Sequence, residues 1–114
     1  MKNKEICLEY KNKEIKLNVK VCNLFEKFKG LMFVKKEKAK ILLFNFKKNT
    51  KISLHSYFVF FPFIVLWLDD KNKIVDFRLI NSFKFFISSK KSFSKIIEIP
   101  CNNKYGKIIK LFLS

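Results

Sequence analysis

Residues 55–69 read HSYFVFFPFIVLWLD, and this stretch decides the fold. From Phe63 to Leu68 every position is apolar, the pattern of a central strand covered on both faces. Pro62 breaks the aromatic run ahead of it, and Asp69-Asp70-Lys71-Asn72 follows as a hairpin turn. The apolar run from Tyr57 to Leu68 is well short of the ~20 residues a helix needs to cross a bilayer, so no membrane span is expected.

Working outward, the periodicity is that of strands. Ile15, Leu17, Val19 and Val21 alternate with Glu14, Lys16, Asn18 and Lys20, and Ile6, Leu8 and Tyr10 alternate with Glu5, Cys7 and Glu9. Lys11-Asn12-Lys13 is a short polar connection, so these two strands form a hairpin. Val75, Phe77 and Leu79 oppose Asp76 and Arg78, again with one face in and one out. Short strands are also predicted over 41–46, 95–99 and 107–113. One segment departs from this pattern. Asn23 caps, Glu26 completes a capping box, and Leu24, Phe28 and Leu31 recur at helical spacing until Gly30 supplies a stop. A helix of about two turns would pack Leu24, Phe25, Phe28 and Met32 onto the sheet. The lysine-dense stretches 35–40, 47–51 and 88–95 read as surface loops. The fold expected is mainly β: a compact β-sandwich or barrel-like single domain over residues 1–114, with one short helix at about 23–29.

Composition narrows the function classes. The chain has 114 residues, 25 of them Lys or Arg against 9 acids, for a net charge of +16. All the basic residues but Arg78 are lysine, and Lys, Asn, Ile, Phe and Tyr make up more than half the chain. An A/T-rich genome produces such an excess without selection for anion binding. Nucleic-acid readers usually add several arginines, whose guanidinium fork grips phosphate and guanine bidentately. Nucleic-acid association is therefore expected to be weak and non-specific. Cys7, Cys22 and Cys101 are too scattered for a disulfide framework or a zinc site, and no metal or cofactor is expected. The N-terminal MKNKEICLEYKNK lacks an apolar signal region, which points to a soluble cytoplasmic protein.

Several steps of the chain resemble domain of unknown function family 192, an uncharacterised archaeal and bacterial family. Lys29 to Phe33 matches its basic-Gly-Leu-Met-Phe step. His55, Ser56, Tyr57, Phe61, Pro62, Val65, Leu68 and Asp69 fall at the spacings of its histidine–proline–aspartate stretch, and Ile97-Glu98-Ile99-Pro100 echoes a later Leu-Glu-Leu-Pro. The resemblance runs from the second strand to Pro100 and implies a compact, mainly β fold without implying an activity. One departure matters most: where the family usually carries an acid, this chain has Ile64. Val59 and Phe60 also replace the usual Met and an often basic residue.

The candidate ligand contacts are His55 and Tyr57. An acid at position 64 would have given His55 the partner a general base requires; without it, the histidine is read as structural or ligand-orienting. Ser56 points to the opposite strand face and is no nucleophile signature. Asp69 and Asp70 read as turn caps, and Glu98, opposite in face to Ile97 and Ile99, as solvated. The aromatic cluster of Tyr57, Phe58, Phe60, Phe61, Phe63 and Trp67 is core first, with outward members forming a partner patch. The chain is expected to be a non-catalytic module binding a protein or small ligand. The alternative is an RNA- or DNA-associated domain whose lysines take phosphates and whose exposed aromatics stack bases. Interleaving of exposed aromatics with lysines would favour nucleic acid, and segregation a protein. An enzyme comes third.

Overall fold

The computed structural model describes residues 2–22, 31, 34–51, 59–81 and 87–113, with the backbone alone for 47–49. Six strands make up one sheet: β1 Lys2–Tyr10, β2 Lys13–Cys22, β3 Leu42–Thr50, β4 Phe63–Leu68, β5 Ile74–Ile80 and β6 Phe93–Pro100. Their spatial order is β1-β2-β3-β6-β4-β5, antiparallel throughout except for β2 beside β3. The mainly β expectation is met.

The first hairpin forms as its alternation requires, in register from Lys2 opposite Val21 to Tyr10 opposite Lys13. Lys11 (φ 50°) and Asn12 (φ 62°) both adopt the left-handed conformation that lets a two-residue turn follow the strand twist. The second hairpin closes through Asp69, whose Oδ1 accepts from the Lys71 and Lys73 amides at 2.9 Å each. The sheet curls until its two edge strands meet. The Glu9 amide donates to the Asn72 carbonyl at 3.1 Å, in a parallel bridge between Glu9 and Lys73. This contact makes the sheet barrel-like.

Curling divides the side chains into two cores. Ile6, Leu8, Leu17, Val19, Leu43, Ile64, Leu66, Leu68, Ile97 and Ile99 fill the interior. On the outer face, Phe44, Phe63, Val65, Trp67, Phe93 and Ile96 are covered by Leu31, Ala39, Val59, Phe61 and Ile87. β4 contributes alternate residues to both cores, and all six are buried, which is why its sequence has no polar position. Each such side chain stabilises the fold by roughly 1.5–3 kcal/mol relative to exposure.

Three expectations need correcting. Residues 107–113 are not a strand: Gly106–Leu113 is a helix, α1, preceded by a 3-10 turn at Asn103–Tyr105. Asn102 caps that turn, its Oδ1 accepting from the Lys104 amide at 3.1 Å. Ile108, Ile109 and Phe112 then lie against the interior core. Phe112 meets Tyr10 and Phe77 with ring centroids 5.1 and 5.5 Å away, and Tyr10 and Phe77 stand 5.6 Å apart edge to face. This aromatic triad stops one end of the barrel. Residues 47–50 are not a loop either, since β3 continues through them past a register shift to pair Thr50 with Phe93. Within 88–95, β6 already begins at Phe93. The helix expected at about 23–29 lies outside the described residues.

Candidate functional site

His55, Ser56 and Tyr57 fall outside the described residues, between Lys51 and Val59. The structure does describe the rim to which this segment connects. Val59 and Phe61 are each 3% exposed and belong to the outer core, while Phe60 between them is 61% exposed. With Val59 and Phe61 turned into the core, the ring between them is left on the outside. Pro62 is exposed, and its carbonyl accepts from the Cys101 amide at 3.0 Å, fastening the rim to the start of the C-terminal turn.

Position 64 is sealed. Ile64 has no exposure, lies in the interior core, and is paired with Leu79 on one side and Ile99 on the other. A carboxylate there would face hydrocarbon. No constellation of three His, Cys, Asp or Glu able to hold a metal occurs among the described residues. None of the three cysteines is in a disulfide: Cys7 is exposed, Cys22 buried and Cys101 half-buried. Burial pushes the Cys101 thiol up, with Lys36 opposing that shift.

Glu98 is on the face expected, opposite to Ile97 and Ile99, but is buried at 6% exposure instead of solvated. The reason is tertiary. Leu42 and Val65 flank it in register, on the outer face of a sheet that the loops cover. Desolvation pushes its carboxyl up to about 8, so it is predominantly neutral at neutral pH. The Trp67 Nε1 and Ser94 Oγ are also buried, without hydrogen-bond partners among the described residues. Trp67 pairs with Ile96, so Ser94 and Glu98 are its diagonal neighbours across the strands. A lone neutral acid without a base or nucleophile beside it among the described residues makes no catalytic constellation.

Sequence reasoning missed two other polar residues. Asp76 accepts from the Lys90 amide at 3.0 Å and the Ser89 hydroxyl at 3.4 Å, tying the loop before β6 to β5. Asn102 donates through Nδ2 to the Lys36 and Ala39 carbonyls at 2.9 and 3.2 Å. Its position shortly after Pro100 and two residues before Lys104 was a readable capping signal; its reach across the chain was not. A depression of about 430 Å³ is lined by Asn45, Phe46, Asp70, Ser94 and Lys95. The Lys95 ammonium there is engaged by the Asn72 side chain.

The fold and rim define a small, barrel-like, mainly β protein, and comparison with known proteins agrees. A UPF0127 protein of Thermococcus kodakarensis is 31% identical over 94 residues, covering 81% of this chain and 59% of that protein. The chain thus spans less than two thirds of this relative's length, and the match connects it distantly to an uncharacterised conserved family. No family model matches the chain. Two crystal structures share the fold. A candidate transcription regulator of Sinorhizobium meliloti superposes with a TM-score of 0.76 at 15% identity, over 98% of this chain and 87% of that one. A protein of unknown function from Novosphingobium aromaticivorans gives 0.71 at 10% identity, over 93% and 78%. Among the described residues, no helix is long and apolar enough to cross a membrane.

Proposed function

We propose that this chain is a non-catalytic binding module, a single domain of the family with domain number 192, acting in the cytoplasm of a bacterium or archaeon. It presents the rim around Phe60 to its partner, with His55 and Tyr57 as the adjoining ligand contacts. The observation that carries this reading is the contrast within one short stretch: Ile64 is fully buried in hydrocarbon while Phe60 is 61% exposed. The position where an acid would support a base is used for packing, and the ring that packing could have absorbed is presented outward. A general base needs a tuned pKa and a partner that fixes its tautomer, and Ile64 supplies neither.

The test is a pair of variants. Replacing His55 by Asn should leave the melting temperature within the range of one lost polar contact, about 1–3 kcal/mol, with no turnover to lose. Turnover on a defined substrate that disappears in this variant at unchanged melting temperature would refute the non-catalytic reading.

A further inference from the structure

Two exposed, lysine-bearing segments of the described chain meet near the rim that carries Phe60. Lys35, Lys36, Lys38 and Lys40 lie on the loop before β3, and Lys104 and Lys107 on the 3-10 turn and first turn of α1; all six side chains are exposed. Asn102 brings them together. It binds the Lys36 and Ala39 carbonyls, 66 and 63 residues back in sequence, and accepts from the Lys104 amide. Lys36 stands close enough to Cys101 to act on its thiol. The Cys101 amide in turn bonds Pro62, two residues from the exposed Phe60 ring. Glu37 is the one acid within these segments. None of the six lysines is held in an ion pair among the described residues.

Elsewhere the charge is mixed. On the outward face of the β1–β2 hairpin, register places Glu5, Glu9 and Glu14 among Lys16 and Lys20. Among the described residues, lysine is therefore concentrated with little acid in this region, which is tied through Cys101 and Pro62 to the rim bearing the exposed Phe60 ring. A membrane surface would favour lysines ringed by aliphatic side chains, and a protein partner would favour Phe60 set apart from charge. A polyanion with flat rings along it suits both features at once, because lysines take phosphates as point charges and the ring offers a stacking face.

We propose that the loop 35–40, the turn and first helical turn at 102–107, and Phe60 form a docking surface for single-stranded nucleic acid. This inference rests on the binding-module reading and names its partner class. The lysines track the backbone, and Phe60 stacks a base without selecting its identity.

The experiment is fluorescence anisotropy of the full chain with fluorescein-labelled 12-nucleotide oligouridine and oligothymidine, at about 50 and about 200 mM salt. Both should bind, and affinity should fall steeply with salt. The triple variant Lys36→Gln/Lys104→Gln/Lys107→Gln should weaken binding about tenfold or more at the lower salt and flatten the salt slope, since fewer counterions are released. A charge-matched triple, Lys2→Gln/Lys4→Gln/Lys16→Gln, should weaken it at most about twofold. Phe60→Ala should weaken binding about tenfold, nearly equally at both salts, because stacking is not screened. Equal weakening by the two triples would overturn the surface, reducing the effect to bulk charge. Capture by phosphatidylserine vesicles with no oligonucleotide binding would overturn the partner class. Either result leaves the binding-module reading standing, because that reading fails only on His55-dependent turnover.

Discussion

Replacing Ile64 by Asp tests the packing of the interior directly. Ile64 has no solvent exposure, lies in the interior core with Leu66 and Ile99, and sits opposite Leu79 on β5. Removing a buried isoleucine side chain costs about 2–5 kcal/mol. A carboxyl left there without a partner adds roughly 1–3 kcal/mol even when neutral. Keeping it neutral costs about 1.4 kcal/mol for each pH unit above its ordinary value near 3.9. The deficit relative to wild type is thus about 5 kcal/mol near pH 4 and rises toward about 9 near pH 7, against total stabilities of about 5–15 kcal/mol for small domains. The sign follows from linkage: the folded-state pKa of the introduced acid is raised, so stability is retained at low pH and lost as pH rises. Trp67, the one tryptophan, is fully buried and reports unfolding by its fluorescence. With a urea slope of about 1–3 kcal/mol per molar, the midpoint near pH 4 should fall by at least about 2 M, and near pH 7 the variant should be largely unfolded. Ile64→Val, the control, should cost only about 0.5–1.5 kcal/mol. An Asp variant with the wild-type midpoint at both pH values would refute the claim that position 64 is core.

Glu98 gives the chain its own pH dependence. Its folded pKa of about 8 exceeds the ordinary 4.5, so it stabilises the fold fully below about 4.5 and loses that contribution as pH rises through 8. Glu98→Gln should be markedly more stable than wild type near pH 8 and nearly equal to it near pH 4.5, measured by urea titration; parallel pH profiles would count against a buried, neutral acid. Asn102→Ala should cost about 2–3 kcal/mol by stranding the Ala39 carbonyl and uncapping the turn before α1, with faster amide exchange at Lys104 as the local signature. It should also weaken oligonucleotide binding, because it separates the two lysine-bearing segments.

What the sequence made legible were patterns complete within a few residues. The β1–β2 hairpin announces itself by strict alternation around Lys11-Asn12, and β4 by six apolar positions ending at Asp69. What stayed hidden depended on distant partners. The lysines of 47–50 resemble a loop because nothing local reveals that β3 continues past a register shift to reach Phe93. Glu98 reads as solvated from its strand alone, since its burial comes from loops that cover the outer face. Residues 107–113 misled in another way. Ile108 and Ile109 favour strand by propensity, but Ile108, Ile109 and Phe112 share a helical face, and the Asn102 cap decides between the readings. The site was half legible: the outward turn of a ring in the Tyr57–Phe63 cluster could be anticipated, whereas the assembly of 35–40 with 102–107 exists only in three dimensions.

The central claim is that this protein works through its rim surface. The most direct measurement is an amide-resolved NMR titration of the isotope-labelled chain with oligouridine. Shifts should concentrate at 34–40, 59–61 and 101–110, while Glu5, Glu9, Glu14 and the other outward residues of the β1–β2 hairpin stay still. Shifts spread evenly over the hairpin lysines, or none at the rim at saturating oligonucleotide, would contradict the account.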